Sequence, residues 1–175
     1  MRGFTAIELM VTLAILAVLA ALAAPSFTPI VERWRVRQAV DGFQSTLYFA
    51  RSEAIKRGGN VVIEKLANNG SCTTASTAND WGCGWLVCED SNSDGTCSAT
   101  EPVLQRYETA PRLEVSRTSG GAQIQFNRWG MVAGSWIGVT IVPQGKSVSD
   151  PAARGVCVSS AGRVRVEPNP PCISG

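Results

Sequence analysis

Two arginines two positions apart, in Gly162-Arg163-Val164-Arg165, are the sharpest candidates for ligand chemistry in this chain. On a strand, residues two apart share a face. At about 3.4 Å rise per residue their guanidiniums stand about 7 Å apart, close to the phosphate spacing along one DNA strand. Gly162 supplies a turn that would present them, and the planar fork of arginine suits phosphate better than a lysine point charge. Cys157 and Cys172 flank the segment, and a bond between them would stiffen it. Lys146 and Arg154 are candidates to extend the patch. The competing reading is a hairpin carrying two solvated arginines, and both stay open. A net charge of +2 points to weak, salt-sensitive binding, because phosphate contacts act through counterion release.

Other patterns promise less. Asp90, Asn92, Asp94-Gly95 and Glu101 fit the spacing of a calcium loop. Yet flanking residues read as strands, Cys97 lies inside the loop, and Asp, Asn and Gly are also what a tight turn demands. No metal is therefore assigned. Gly145-Lys146-Ser147 ends like a P-loop, but Thr140 stands where the first glycine must be, so nucleotide binding is rejected. The chain has no histidine, and no serine, lysine or cysteine has a recognisable nucleophile setting. Neither an enzyme nor a cofactor is expected. The five tryptophans, Trp34, Trp81, Trp85, Trp129 and Trp136, are more often core or interface residues than base-stacking platforms.

Six cysteines, Cys72, Cys83, Cys88, Cys97, Cys157 and Cys172, all follow residue 70. An even count beyond an apolar leader suggests disulfides in an oxidising compartment. Fifteen pairings exist; loop length favours neighbours, Cys72 with Cys83, Cys88 with Cys97 and Cys157 with Cys172. Zinc is disfavoured by the lack of histidine and of any C-x2-C pair.

The elements that must position these residues begin with an apolar run, Phe4 to Ala24, interrupted by Glu8. A helix of that length, at about 1.5 Å per residue, spans roughly a bilayer's hydrocarbon core. A carboxylate inside it is costly and needs a partner. Nothing basic lies within the run, so the partner is expected from another chain or a new terminus. A secretory signal peptide cut near Ala21-Leu22-Ala23, or a plain anchor, gains nothing from that carboxylate. Cleavage after Gly3 would place a charged amine one turn away.

The stretch Gly3-Phe4-Thr5-Ala6-Ile7-Glu8-Leu9-Met10-Val11 resembles the leader of type IV pilins and type II secretion pseudopilins. The resemblance implies cleavage after Gly3 by a prepilin peptidase, N-methylation of Phe4, and pairing of Glu8 with the Phe4 amine of a neighbouring subunit.

Pro25 and Pro29 are expected to kink or open the helix. It then resumes with Val36, Val40, Phe43, Leu47, Ala50 and Ala54 on one face. Arg33, Arg37, Asp41, Gln44 and Arg51 lie opposite, and Gly58-Gly59 is the stop. From Asn60 the period falls to two. Strands are expected at Val61–Leu66, Gly84–Cys88, Pro102–Tyr107, Leu113–Arg117, Gln123–Asn127, Ile137–Val142, Gly155–Ser159 and Arg163–Val166.

Ala50-Arg51-Ser52-Glu53-Ala54-Ile55-Lys56-Arg57-Gly58, Gly84-Trp85-Leu86-Val87-Cys88-Glu89-Asp90, Phe126-Asn127-Arg128-Trp129-Gly130 and Ser160-Ala161-Gly162-Arg163-Val164-Arg165 resemble the GspH/FimT minor pilin family. Ser71–Asp80 looks like a local insertion. The resemblance implies an α+β type IV pilin fold, a long N-terminal helix packed on an antiparallel two-sheet β domain. The implied divisions are a leader (1–3), a hydrophobic transmembrane or filament-core helix (4–28), an amphipathic half (29–59) and a β domain (60–175). It further implies pilin partners in a filament, with a single pass through the inner membrane and a periplasmic β domain before export into the extracellular pilus, at or near its tip. In FimT pilins of natural transformation the Gly-Arg-x-Arg motif is associated with DNA binding, which would fall here on Gly162, Arg163 and Arg165. The alternative is a structural FimU-like pilin or secretion pseudopilin with no DNA role.

Overall fold

The structure is a computed structural model and describes residues 3–23, 27–134 and 136–173. Residues 1–32 and 33–175 form two compact units.

In the first unit, α1 spans Ala6–Ala23. Its start is a capping box. The Thr5 N–H and hydroxyl both donate to Glu8 Oε2, at 2.9 and 2.8 Å, while the Glu8 N–H reaches back to Thr5 Oγ1 at 3.4 Å. Glu8 therefore has a capping partner within its own segment. Thr5 is that partner, and the Thr-x-x-Glu spacing carried the signal. All described side chains from Phe4 to Leu22 are exposed. The helix has 18 residues, about 27 Å at 1.5 Å each. Among the described residues no helix is long and apolar enough to cross a membrane. The interruption expected at Pro25 lies outside the described residues. Pro29 does not kink a helix. It sits in the first turn of α2, Thr28–Arg57, where its missing N–H would have had no helical acceptor.

In the second unit, α2 buries Val36, Ala39, Val40, Phe43, Leu47, Ala50 and Ala54 along one face. Gly58 and Gly59 end it with φ of 77° and 110°, and the Gly59 N–H returns to the Ala54 carbonyl at 2.7 Å, as left-handed helix ends require. Among the described residues eight strands follow: β1 Val61–Lys65, β2 Trp85–Glu89, β3 Val103–Tyr107, β4 Leu113–Arg117, β5 Gln123–Phe126, β6 Trp136–Pro143, β7 Arg154–Ser159 and β8 Val164–Glu167. They form two four-stranded antiparallel sheets, ordered β3-β2-β1-β5 and β4-β6-β7-β8.

One core joins the helix to both sheets. Phe43 packs edge-on against Trp81 and Trp85, with centroids 6.2 and 5.0 Å away, and Trp85 stacks on Tyr107 at 4.6 Å. Each buried indole N–H has an acceptor, Gly121 O for Trp81 and Thr46 Oγ1 for Trp85, which removes the cost of burying it. Gly42 lets the tyrosine close in: a Cβ there would stand 2.3 Å from the Tyr107 ring. At the end of β4, Arg117 is buried, donates to the carbonyls of Gly120, Gly121 and Gln123 at 3.1, 2.9 and 2.7 Å, and lies over the Trp81 ring. Burial pulls its guanidinium down to about 10. These carbonyls close the β4–β5 turn.

Candidate nucleic-acid interface

The segment Gly162 to Arg165 forms the second half of the β7–β8 hairpin. The turn is tight: the Gly162 N–H donates to Ser159 O at 2.8 Å, and the Ser159 N–H donates to Arg163 O at 3.0 Å. Gly162 has φ of 81°, the left-handed position that closes such a loop. Arg163 precedes the strand proper rather than opening it. Its N–H is fixed by Ser159 Oγ at 3.1 Å, and its side chain is exposed. Arg165 lies within β8 opposite Cys157 of β7.

The turn is braced from beneath by a residue that helical periodicity sets opposite the apolar stripe. Arg51 of α2 is half-buried, and its Nη1 donates to Gly162 O at 3.2 Å. A Cβ on Gly162 would meet Arg51 Nη1 at 2.8 Å, and one on Gly130 would meet Arg51 Cγ at 2.6 Å. Arg51 therefore passes between two glycines, one from each of two adjoining turns. The expectation that it faces solvent is corrected here. Periodicity within one helix holds no sign that two distant turns close over its flank.

Arg165 is not a free cation. Its Nε and Nη2 donate to Glu167 Oε1 at 3.2 and 2.5 Å. Glu167 lies two residues on, on the same face, a partner that strand alternation makes legible. Arg165 keeps 55% of its side chain exposed. Beside it, the Cys157–Cys172 disulfide ties the C-terminal segment across this face, and Arg165, Glu167 and both cysteines line a cleft of about 420 Å³. Lys146 and Arg154 do not extend the patch. Lys146 follows the far end of β6 and Arg154 begins β7, both at the opposite end of the sheet from the turn. Arg154 is engaged with the carbonyls of Pro151 and Ala153.

The acidic loop uses its carboxylates on itself. Asp90 accepts the N–H groups of Asp94 and Gly95 at 3.0 and 2.9 Å. Glu101 accepts those of Ser98, Ser91 and Asn92. Asp94 accepts the N–H and hydroxyl of Thr96 and the Asn92 side-chain amide. Backbone hydrogen bonding, from Ser98 first, holds the Glu101 carboxyl below its usual range. Among the described residues no group of three acidic, histidine or cysteine side chains is arranged to hold a metal. The remaining disulfides join Cys72 to Cys83 and Cys88 to Cys97. The first closes the 71–80 segment, where Lys65 Nζ donates to the carbonyls of Ala75, Thr77 and Asp80.

Residues 39–162, well over half of the chain, match the family described as Type II transport protein GspH. Two crystal structures of the type IV minor pilin FimU from Pseudomonas aeruginosa (strain PAO1) are similar in fold. One aligns with a TM-score of 0.61 and 24% identity, covering 81% of this chain and 94% of that one. The second crystal form gives 0.58 and 23%, covering 76% and 93%. Among curated proteins none matches. The family match stops at Gly162, one residue short of the paired arginines. It takes in most of α2 and seven of the eight strands, and on that ground the chain belongs to the GspH family.

Proposed function

We propose that this protein is a minor pilin of a type IV pilus that binds the phosphate backbone of DNA through Arg163 and Arg165 during uptake. The observation that carries this reading is the exposure of both arginines on a hairpin braced by Arg51 and by the Cys157–Cys172 bond. Membership of the GspH family supports a pilin or pseudopilin role, in a structural subunit rather than an enzyme. Under this reading the chain is cut after Gly3 and methylated on Phe4 by a prepilin peptidase. It is held in the inner membrane by its apolar segment and then drawn into the filament. Glu8 exchanges Thr5 for the Phe4 amine of a neighbour. The exposed apolar side chains of α1 and of Ile30, Val31 and Trp34 on α2 are what filament packing would cover.

The test is a gel shift of the detergent-solubilised full chain on duplex DNA at low salt. R163A/R165A is expected to lose binding about tenfold or more while remaining folded; unchanged affinity would sink the DNA reading at this hairpin. A second reading is favoured by Glu167, which neutralises Arg165: the chain is then a structural pilin or secretion pseudopilin only. Glu8→Ala, with normal membrane insertion and poor entry into filaments, is the outcome common to both.

A further inference from the structure

The turn that shares Arg51 with the β7–β8 hairpin carries a feature no packing requirement explains. Asn127 to Met131 connects β5 toward β6. The Asn127 side chain accepts the N–H groups of Trp129 and Met131, each at 3.0 Å, the Gly130 N–H donates to Asn127 O at 2.8 Å, and Gly130 has φ of 68°. The backbone of this turn is fixed. At its tip Trp129 is 62% exposed, whereas Trp81 and Trp85 are fully buried. The Arg128 guanidinium covers the ring at 4.8 Å from its centroid. A Cβ on Gly162 would approach Gly130 O to 3.4 Å, so the two turns adjoin. Neither 127–131 nor 159–163 contains an acidic residue.

We propose that Trp129, backed by Arg128, is a stacking platform for unpaired nucleobases that continues the phosphate-binding surface of Arg163. This rests on the DNA reading above and makes it more specific: the preferred ligand is single-stranded DNA. Phosphates meet Arg163 and Arg165 while a base lies on the indole. An indole stacked under a guanidinium is held flat, so stacking a base costs little further ordering. Base–aromatic stacking contributes about 1–3 kcal/mol per base and is indifferent to sequence, which converts to about 5- to 150-fold in affinity. Such a platform gives the chain a preference that arginines alone lack, because phosphate contacts do not distinguish paired from unpaired strands.

The experiment compares three probes of equal charge on the detergent-solubilised full chain: a 20-nucleotide thymidine strand, an abasic strand of the same length, and a duplex of matched phosphate number. The unmodified protein is expected to bind the thymidine strand at least fivefold more tightly than the abasic one. W129A is expected to erase that difference and leave the abasic affinity unchanged; W129F is expected to restore most of it. R163A/R165A is expected to weaken all three probes together. Equal binding of thymidine and abasic strands, or a W129A protein that keeps the difference, overturns the platform while leaving the phosphate site standing. Binding of none of the probes overturns both.

Discussion

The acidic loop between β2 and β3 and the basic hairpin between β7 and β8 each gather like charge in a turn, and they dispose of it in opposite ways. Asp90 and Glu101 are 5% and 8% exposed, and their oxygens are spent on backbone N–H groups. Arg163 and Arg165 are exposed, and the backbone that carries them is satisfied without their help. Both stretches read in the sequence as ligand motifs. The difference is which partner reaches the charge first. A carboxylate is an acceptor, and a loop reversing direction offers unpaired N–H donors next to it. A guanidinium is a donor, and a two-strand hairpin has already matched its carbonyls to N–H groups in the ladder. Acidic turns tend to consume their own charge, while basic hairpins leave theirs for solvent or a ligand.

The largest expected effect falls on the loop. Asp90→Ala leaves the buried Gly95 N–H without an acceptor, while the Asp94 N–H keeps Asn92 Oδ1. The cost is about 2 kcal/mol, or about a 6 °C fall in Tm, with DNA binding unchanged. Thermal denaturation of the full chain checks it. A rise in Tm when calcium is added to the unmodified protein would break the comparison, since the carboxylates would then be available to a ligand after all.

The hairpin should show the reverse pattern. R163A/R165A is expected to keep its Tm within about 1 °C, because surface substitutions away from packing act within about 0.5 kcal/mol. The slope of log affinity against log salt should fall by about 2, at about 0.9 for each phosphate that is no longer neutralised. A titration between low and moderate salt measures this. An unaltered slope with reduced affinity would mean that the arginines shape the hairpin rather than touch phosphate.

β4 and β5 were legible because period-two patterning survives where one face is wet, whereas β6 and β7, buried almost throughout, were legible as apolar runs bounded by turn residues. Val61, Ile63, Val115, Ile137 and Val139 all fall in the core. The apolar stripe of α2 was legible for the same reason. Arg51, Arg117 and the Asn127 turn were not. Their roles depend on which loops close over them, and only tertiary contact decides that. Thr5 is a different case. Its capping pattern is local and readable, because Thr-x-x-Glu spacing alone brings the Thr5 hydroxyl and N–H to the Glu8 carboxylate. Glu167 was readable too, two residues from Arg165 on a strand.

The pH dependence of the loop sharpens the comparison further. The Glu101 carboxyl lies below its usual range because the Ser98, Asn92 and Ser91 N–H groups favour its charged form. A depressed folded-state value means the contribution is complete above the unfolded value, about 4.3. It drains away as pH falls through the folded one. Amide protection at Ser91 and Ser98, measured against the intrinsic exchange rate, should fall as pH drops below the usual carboxylate range and before global unfolding, and Glu101→Gln should flatten that profile. Exchange at Arg163 should show no step in the same range.

The smallest effect tests the one place where the two regions behave alike. Arg165, like the loop carboxylates, has found a partner inside the chain, Glu167. That pair is largely exposed, so it is weak, about 0.2–1 kcal/mol, and it breaks when a phosphate competes. Glu167→Gln removes the competing charge and keeps a hydrogen-bond acceptor beside the guanidinium. Duplex affinity at low salt is expected to rise about threefold, with Tm unchanged, since the energy withheld by an exposed pair is what a ligand regains when the pair is removed. The gain should vanish in the R165A background, where there is no guanidinium to release. A gain that persists there would place the repulsion between Glu167 and the DNA itself, and would make Arg163 alone the seat of binding.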